Sequence, residues 1–210
     1  LFKLGNVYSQ LGDDINELEV YNQARNIYQK WEDPEGEIGF LIKISEYYEK
    51  QENSERMLYF LNHAVTVYRE SGDRLKEANL LRDKIASIYF RLGNLEKGFD
   101  IFHQALKIYR EIDNRAEVAQ TLNFIAYYYY DLENKEKALE FYSQAVVVDR
   151  EIEDFSGEVY RLRQMGKIYY ELGNKEKALE VFNQAGNVFQ ENGDAEKAVN
   201  TLLQIGIKCL

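Results

Sequence analysis

The chain has 210 residues, 45% of them apolar and 30% charged, and carries a formal net charge of −10. That acidity opposes attraction to phosphate backbones and anionic lipids, so neither nucleic acid nor a membrane is an expected partner, and no stretch approaches the ~18 apolar residues a spanning helix needs. A single cysteine, Cys209, rules out an internal disulfide and any Cys-rich zinc site, and fits a reducing compartment with the cytoplasm as default.

No basic leader or small-residue cleavage site follows Leu1, so no targeting segment is expected. A pattern then returns every 40 or 41 residues. Gly5, Ser45, Ala86, Ala126, Gly166 and Gly206 form one column, with Tyr8, Tyr48, Tyr89, Tyr129, Tyr169 and Cys209 three residues later. Ala24, Ala64, Ala105, Ala145 and Ala185 form another. Self-similarity at a fixed interval marks an array in which each unit buries its apolar face against the next.

Within each unit the apolar residues recur at helical spacing, as in Leu122, Ile125, Ala126 and Tyr129, then Ala138, Leu139, Tyr142, Ala145 and Val146. The predicted elements, in chain order, are pairs of amphipathic helices. The first covers approximately 1–30, entered partway through a helix. The second covers 35–71, after the N-cap Asp33 and with Pro34 at the first helical position, where a missing N–H costs nothing. The third covers 75–111 after Asp73, and one extra residue between Asp73 and Ala86 predicts a bulge or a shifted cap. The fourth, 116–152, follows Asn114; the fifth, 157–192, follows Asp154; a solitary helix, 195–210, follows Asp194. Inside the last three pairs the turns read Leu92-Gly93-Asn94, Leu132-Glu133-Asn134 and Leu172-Gly173-Asn174, where Gly can adopt the left-handed conformation and Asn can cap the next helix. No strand-like alternation intervenes, so the chain is predicted to be all-α, a single array over 1–210.

The order Leu, Gly or Ala, Tyr, Ala, aromatic, Ala resembles the tetratricopeptide repeat. Leu162, Met165, Gly166, Tyr169, Ala178, Phe182 and Ala185 carry it best, followed by Leu122, Ile125, Ala126, Tyr129, Ala138, Tyr142 and Ala145. The period exceeds the usual ~34 residues by roughly six, about two helical turns per unit, and looks like the longer-period arrays of kinesin light chain. One column departs from the pattern: Glu17, Met57 and Gly98 stand where Ala138 and Ala178 stand later. The resemblance implies a helical-hairpin solenoid, a right-handed superhelix whose first helices line a concave groove that binds peptides or protein segments.

Chemistry-bearing constellations are absent from the sequence. His63 and His103 lie in different units with no His or Cys four residues away, so no metal site is expected. Glu136, Glu140, Glu176 and Glu180 lie beside Lys135, Lys137, Lys175 and Lys177 and read as a solvated, ion-paired face. Neither a catalytic residue nor a cofactor is predicted.

Of the 17 tyrosines, the repeat columns account for Tyr8, Tyr48, Tyr89, Tyr129, Tyr169, Tyr21, Tyr142, Tyr28, Tyr68 and Tyr109 as packing residues. Tyr47, Tyr59, Tyr127, Tyr128, Tyr130, Tyr160 and Tyr170 remain. By the resemblance, Tyr127, Tyr130, Tyr160 and Tyr170 face the groove, with Asn123 four residues before Tyr127 and Arg163 four before Lys167. Asn123, Tyr127, Tyr130, Tyr160, Arg163, Lys167 and Tyr170 are therefore the candidate partner-binding residues: aromatic rings for contact area, an amide for a peptide backbone and two cations for a carboxylate. At related offsets the earlier units offer the more acidic set Ile42, Glu46, Asp83, Ser87, Phe90 and Arg91.

The expected function is a noncatalytic interaction scaffold holding a peptide or partner domain. The alternative is a sensor or regulatory domain of a larger signalling protein whose effector lies outside this chain. The apolar residues of the last helix, Leu202, Leu203, Ile205, Ile207 and Leu210, lead to the expectation of a cover, further repeats of a longer protein first and self-association second.

Overall fold

A computed structural model describes residues 1–192; Cys209 and the expected final helix 195–210 lie outside the described residues. The helices are α1 (Phe2–Leu11), α2 (Asp14–Lys30), α3 (Pro34–Lys50), α4 (Ser54–Glu70), α5 (Arg74–Leu80), α6 (Ser87–Arg91), α7 (Leu95–Glu111), α8 (Arg115–Asp131), α9 (Lys135–Glu151), α10 (Phe155–Glu171) and α11 (Lys175–Glu191). Among the described residues there is no strand. Apart from α1 and the α5–α6 stretch, every helix has 17 residues, so the added length of each unit lies in its helices rather than its turns.

The helix starts are set by side chains that accept from otherwise unpartnered amides. Asp33 accepts from the Gly36 N–H at 2.9 Å, Asp73 from Lys76 at 3.0 Å, Asn114 from Glu117 at 3.3 Å and Asp154 from Gly157 at 2.9 Å. Inside the pairs Asn94, Asn134 and Asn174 cap Lys97, Lys137 and Lys177 in the same way. The residue before each Asn is left-handed: Gly93 and Gly173 adopt φ of 73° and 77°, and Glu133 adopts 58° despite its Cβ.

The extra residue after Asp73 produces a π-helical segment, Leu81–Ala86, between α5 and α6. Asp73 keeps its capping bond and Ala86 stays fully buried, so the insertion is absorbed as a widened turn rather than a displaced cap.

The chain divides into two compact units, Leu1–Ile108 and Tyr109–Leu210. In the first, Tyr21 meets Phe40 and Phe60 edge-on, and Tyr48 stacks on Phe60 at 5.7 Å. In the second, Ala126, Ala138, Tyr142 and Ile168 form one cluster, and Val146, Val159, Leu162, Val181 and Ala185 another. Small residues are required where rings cross. A Cβ on Gly166 would lie 2.4 Å from the Phe182 ring, and one on Gly5 would lie 2.2 Å from Tyr21. The irregular column is buried even where it is polar, Glu17 included.

Two polar features mark the junctions between pairs, the first recurrent and the second single. A buried glutamate four residues after the N-cap is held from the end of the preceding helix: Glu37 by Arg25 at 2.9 Å and Gln29 at 3.5 Å, Glu77 by Arg69 at 2.8 Å and also by Arg74, and Glu158 by Arg150 at 2.5 Å. Val118 occupies the corresponding position after Asn114. The second feature is a substitution of charge for aromatic packing. Tyr28 and Phe40 touch as rings, centroids 5.8 Å apart, in the first unit; the equivalent positions in the second hold Asp149 and Arg161.

The expected ion pairing of the second-helix lysines takes another form. Lys97, Lys137 and Lys177 each lie over a ring of the preceding first helix, Tyr89, Tyr129 and Tyr169, with Nζ 5.6, 4.9 and 5.5 Å from the centroids. Lys135 pairs with Glu171 at 3.3 Å and Glu133 at 3.6 Å.

Candidate functional site

All seven candidate residues lie on α8 and α10, within the second unit. Both helices are amphipathic, and burial of Leu122, Ile125 and Ala126 on α8 and of Leu162 and Gly166 on α10 turns the intervening positions outward. Tyr127 is 52% exposed, Tyr160 48% and Tyr170 40%. Asn123, Tyr130 and Arg163 are half-buried, and Lys167 is exposed.

Tyr130 and Lys167 meet. The Tyr130 hydroxyl donates to Glu171 Oε1 at 2.8 Å, and Lys167 Nζ lies 4.8 Å from the Tyr130 ring centroid and 3.7 Å from the same Glu171 oxygen. Burial alone would raise Glu171, but hydrogen bonds from Tyr130 and Lys135 and the charges of both lysines hold its carboxyl below the usual range. The hydrogen bond with Tyr130 and the charge of Glu171 raise Lys167. Lys167 is thus already committed to a carboxylate, whereas Arg163 forms no ion pair with the described residues. Glu171 and Lys135, absent from the sequence-derived set, bridge α8, α9 and α10.

Tyr127 and Tyr160 share a neighbour that periodicity assigns to the core. Tyr142 of α9 is 3% exposed. Burial raises its phenol above the ordinary range, the phenols of Tyr160, Tyr127 and Tyr130 raise it further, and Arg161 opposes them. Tyr127 also packs edge-on against Tyr128 at 5.8 Å. One turn before Tyr127, the Oδ1 of Asn123 is sealed from solvent with no hydrogen-bond partner. Tyr170 makes no hydrogen bond or ring contact with the described residues, so it belongs to the face without joining the cluster.

Beneath the face lies the buried ion pair. Arg161 Nη1 is 2.8 Å from Asp149 Oδ2, with the side chains 6% and 0% exposed. Contact is close but poorly directed: neither Asp149 oxygen accepts a hydrogen bond, and Arg161 Nε has no acceptor. Burial pushes the Asp149 carboxyl up to about 6, and Asp154 and Glu158 add to this, against the charge of Arg161.

In the first unit three of the corresponding positions are engaged internally, while Glu46 and Arg91 are exposed. Asp83 pairs with Arg82 at 2.7 Å, Ser87 donates to the Lys84 carbonyl at 2.8 Å, and Phe90 packs on Phe99 and Phe102. Among the described residues no group of His, Cys, Asp and Glu is arranged to hold a metal ion, and no helix is long and apolar enough to cross a membrane.

A family model of the tetratricopeptide repeat matches residues 77–151, which include α8, and a second matches 164–185, which include the C-terminal half of α10. These two stretches carry tetratricopeptide repeats. Solved structures share the fold of these repeats at low identity. A Pyrococcus horikoshii signal transduction ATPase with numerous domains, bearing a tetratricopeptide repeat sensor, aligns with 99% of this chain and 35% of its own at 20% identity and a TM-score of 0.56. Putative kinesin light chain repeats from Podosopora anserina align with 91% of this chain and 94% of their own at 14% identity and 0.57. A Rap protein complexed with Competence and Sporulation Factor aligns with 96% of this chain and 55% of its own at 18% identity and 0.58. No curated protein matches the chain in sequence.

Proposed function

We propose that this tetratricopeptide array, read as one array over 1–210, is a scaffold that works in the cytoplasm and holds an extended peptide segment across α8 and α10. The observation that carries this reading is the concentration on one face of exposed tyrosines and a guanidinium, that of Arg163, with no ion pair among the described residues. Rigid aromatic rings supply contact area at low entropy cost, and a cation with no internal carboxylate gains the most from a ligand that supplies one. Arg163, rather than Lys167, is the cation that receives an acidic group. The kinesin-light-chain type is part of the proposal through the 40-residue interval; a sensor role in a larger protein uses the same face.

The test is capture of peptides from a phage-displayed library of random linear sequences. Tyr127→Ala and Arg163→Ala are expected to weaken capture by ~1–3 kcal/mol each while circular dichroism and melting stay near wild type. Capture unchanged in both variants would remove this face from consideration.

Self-association has its own observation. Leu4, Val7 and Leu11 recur on one face of α1, Leu11 at 72% exposure, and Ile15 follows at 80%. Light scattering is expected to show mass rising with concentration, and rising less in Leu4→Glu/Leu11→Glu; a constant monomer mass would refute it.

A further inference from the structure

The column that includes Tyr142 holds Tyr21, Leu61, Phe102, Tyr142 and Phe182, so a hydroxyl occurs at this buried position only twice. The two hydroxyls have different fates. Tyr21 donates to Asn6 Oδ1 at 3.0 Å, an intramolecular bond that closes its polar end. The residue equivalent to Asn6 in the second unit is Tyr127, which leaves no carboxamide to receive the Tyr142 proton. The Tyr142 hydroxyl has no hydrogen-bond partner among the described residues, and it is not sealed from solvent. Its ring is packed with Ala126, Ala138 and Ile168, with Tyr130 against the same cluster, and the register in which Tyr21 reaches Asn6 directs its O–H toward Tyr127.

A rigid tyrosine can spend its hydroxyl on water or on a ligand. Tyr130, whose own hydroxyl is bound to Glu171, cannot serve in its place. Asn123 Oδ1, one turn from Tyr127, is sealed from solvent, so the partnerless group that a ligand can reach here is the Tyr142 donor. The chemical unit that answers a fixed O–H donor is a carbonyl, and an extended peptide offers one at every residue.

We propose that Tyr142 is a specificity-determining residue of the α8–α10 site, donating its hydroxyl proton to a backbone carbonyl of the bound segment between the Tyr127 and Tyr160 rings. The inference rests on the reading of this face as a peptide site. It makes the column that packs the repeat also part of the binding surface, and only in the unit where the intramolecular acceptor has been lost.

The experiment uses the full chain and a synthetic copy of a peptide selected from the random linear library. Tyr142→Phe is expected to weaken binding about tenfold, the loss of one well-placed hydrogen bond, while its melting temperature stays at or above wild type. Tyr21→Phe is expected to lower the melting temperature and leave binding unchanged. Replacing the peptide carbonyls one at a time by thiocarbonyls is expected to reveal one position that weakens binding to wild type but not to Tyr142→Phe. If Tyr142→Phe binds as wild type does while Tyr127→Ala does not, the role of Tyr142 is overturned and the site stands. If no selected peptide depends on Tyr127 or Arg163, the site falls and Tyr142 with it.

Discussion

Asp149→Ala is expected to destabilise the second unit by about 3–5 kcal/mol, because it strands the Arg161 guanidinium, 6% exposed, without a counter-charge. Arg161→Leu should cost less. A buried carboxylate that loses its partner can take up a proton, whereas a guanidinium cannot lose one. The double variant Asp149→Tyr/Arg161→Phe copies the Tyr28–Phe40 contact of the first unit, and Gly157 leaves room at the position where Gly36 leaves room for the Tyr28 ring. It should match or exceed wild-type stability, by up to ~4 kcal/mol, since desolvating two poorly directed charges outweighs their attraction. Urea unfolding of the three variants checks the order; a double variant less stable than Asp149→Ala would show that the pair is irreplaceable.

The same pair has a pH signature. With the folded carboxyl raised from 3.8 to about 6, the folded state holds more protons than the unfolded state between those values. This group's contribution to stability is therefore greatest below pH ~4, declines as pH rises to ~6 and is flat above, with a slope of at most ~1.4 kcal/mol per unit. Asp73 and Glu171, whose carboxyls are held low, change stability in the opposite sense, losing it as pH falls. Subtracting the double variant's stability from that of wild type across this range isolates the effect.

The second large effect is expected at Glu77. Its side chain is fully buried, but Arg69 and Arg74 are 55% and 33% exposed, so the two partners differ in what they lose. Glu77→Val copies Val118 and lets both arginines return to water; its cost is about 1–3 kcal/mol, the scale of hydrogen bonds to a charged group. Arg69→Ala/Arg74→Ala leaves the carboxylate buried and unpaired and should cost about 3–5 kcal/mol. Denaturant midpoints for the two variants give the comparison, and equal costs would mean that the pairs are worth no more than their packing.

Helix existence, order and caps were legible in residues such as Asp33, Asn114 and Asn134, because a cap and a 3.6-residue period are local properties of the chain. Even the π segment left a trace, as one residue too many between Asp73 and Ala86. Asp149 and Arg161 were visible as polar residues in columns that hold Tyr28 and Phe40 in the first unit. Their pairing was not visible, because a column states what a position replaces and not what it touches. Tyr142 was hidden for the opposite reason: its residue type fits its column, and the consequence of Asn6 giving way to Tyr127 appears only when the two are neighbours in space.

By itself the sequence determined the all-α paired-helix array and the buried small and aromatic columns, which follow from periodicity along one chain, while the outward placement of Tyr127, Tyr160 and Tyr170 was expected only from the resemblance. The tertiary structure alone decided which cation is spent on Glu171, which hydroxyl lacks an acceptor and which charges lie sealed between helices. Those outcomes depend on distances and desolvation between residues far apart in sequence, and no spacing rule encodes them.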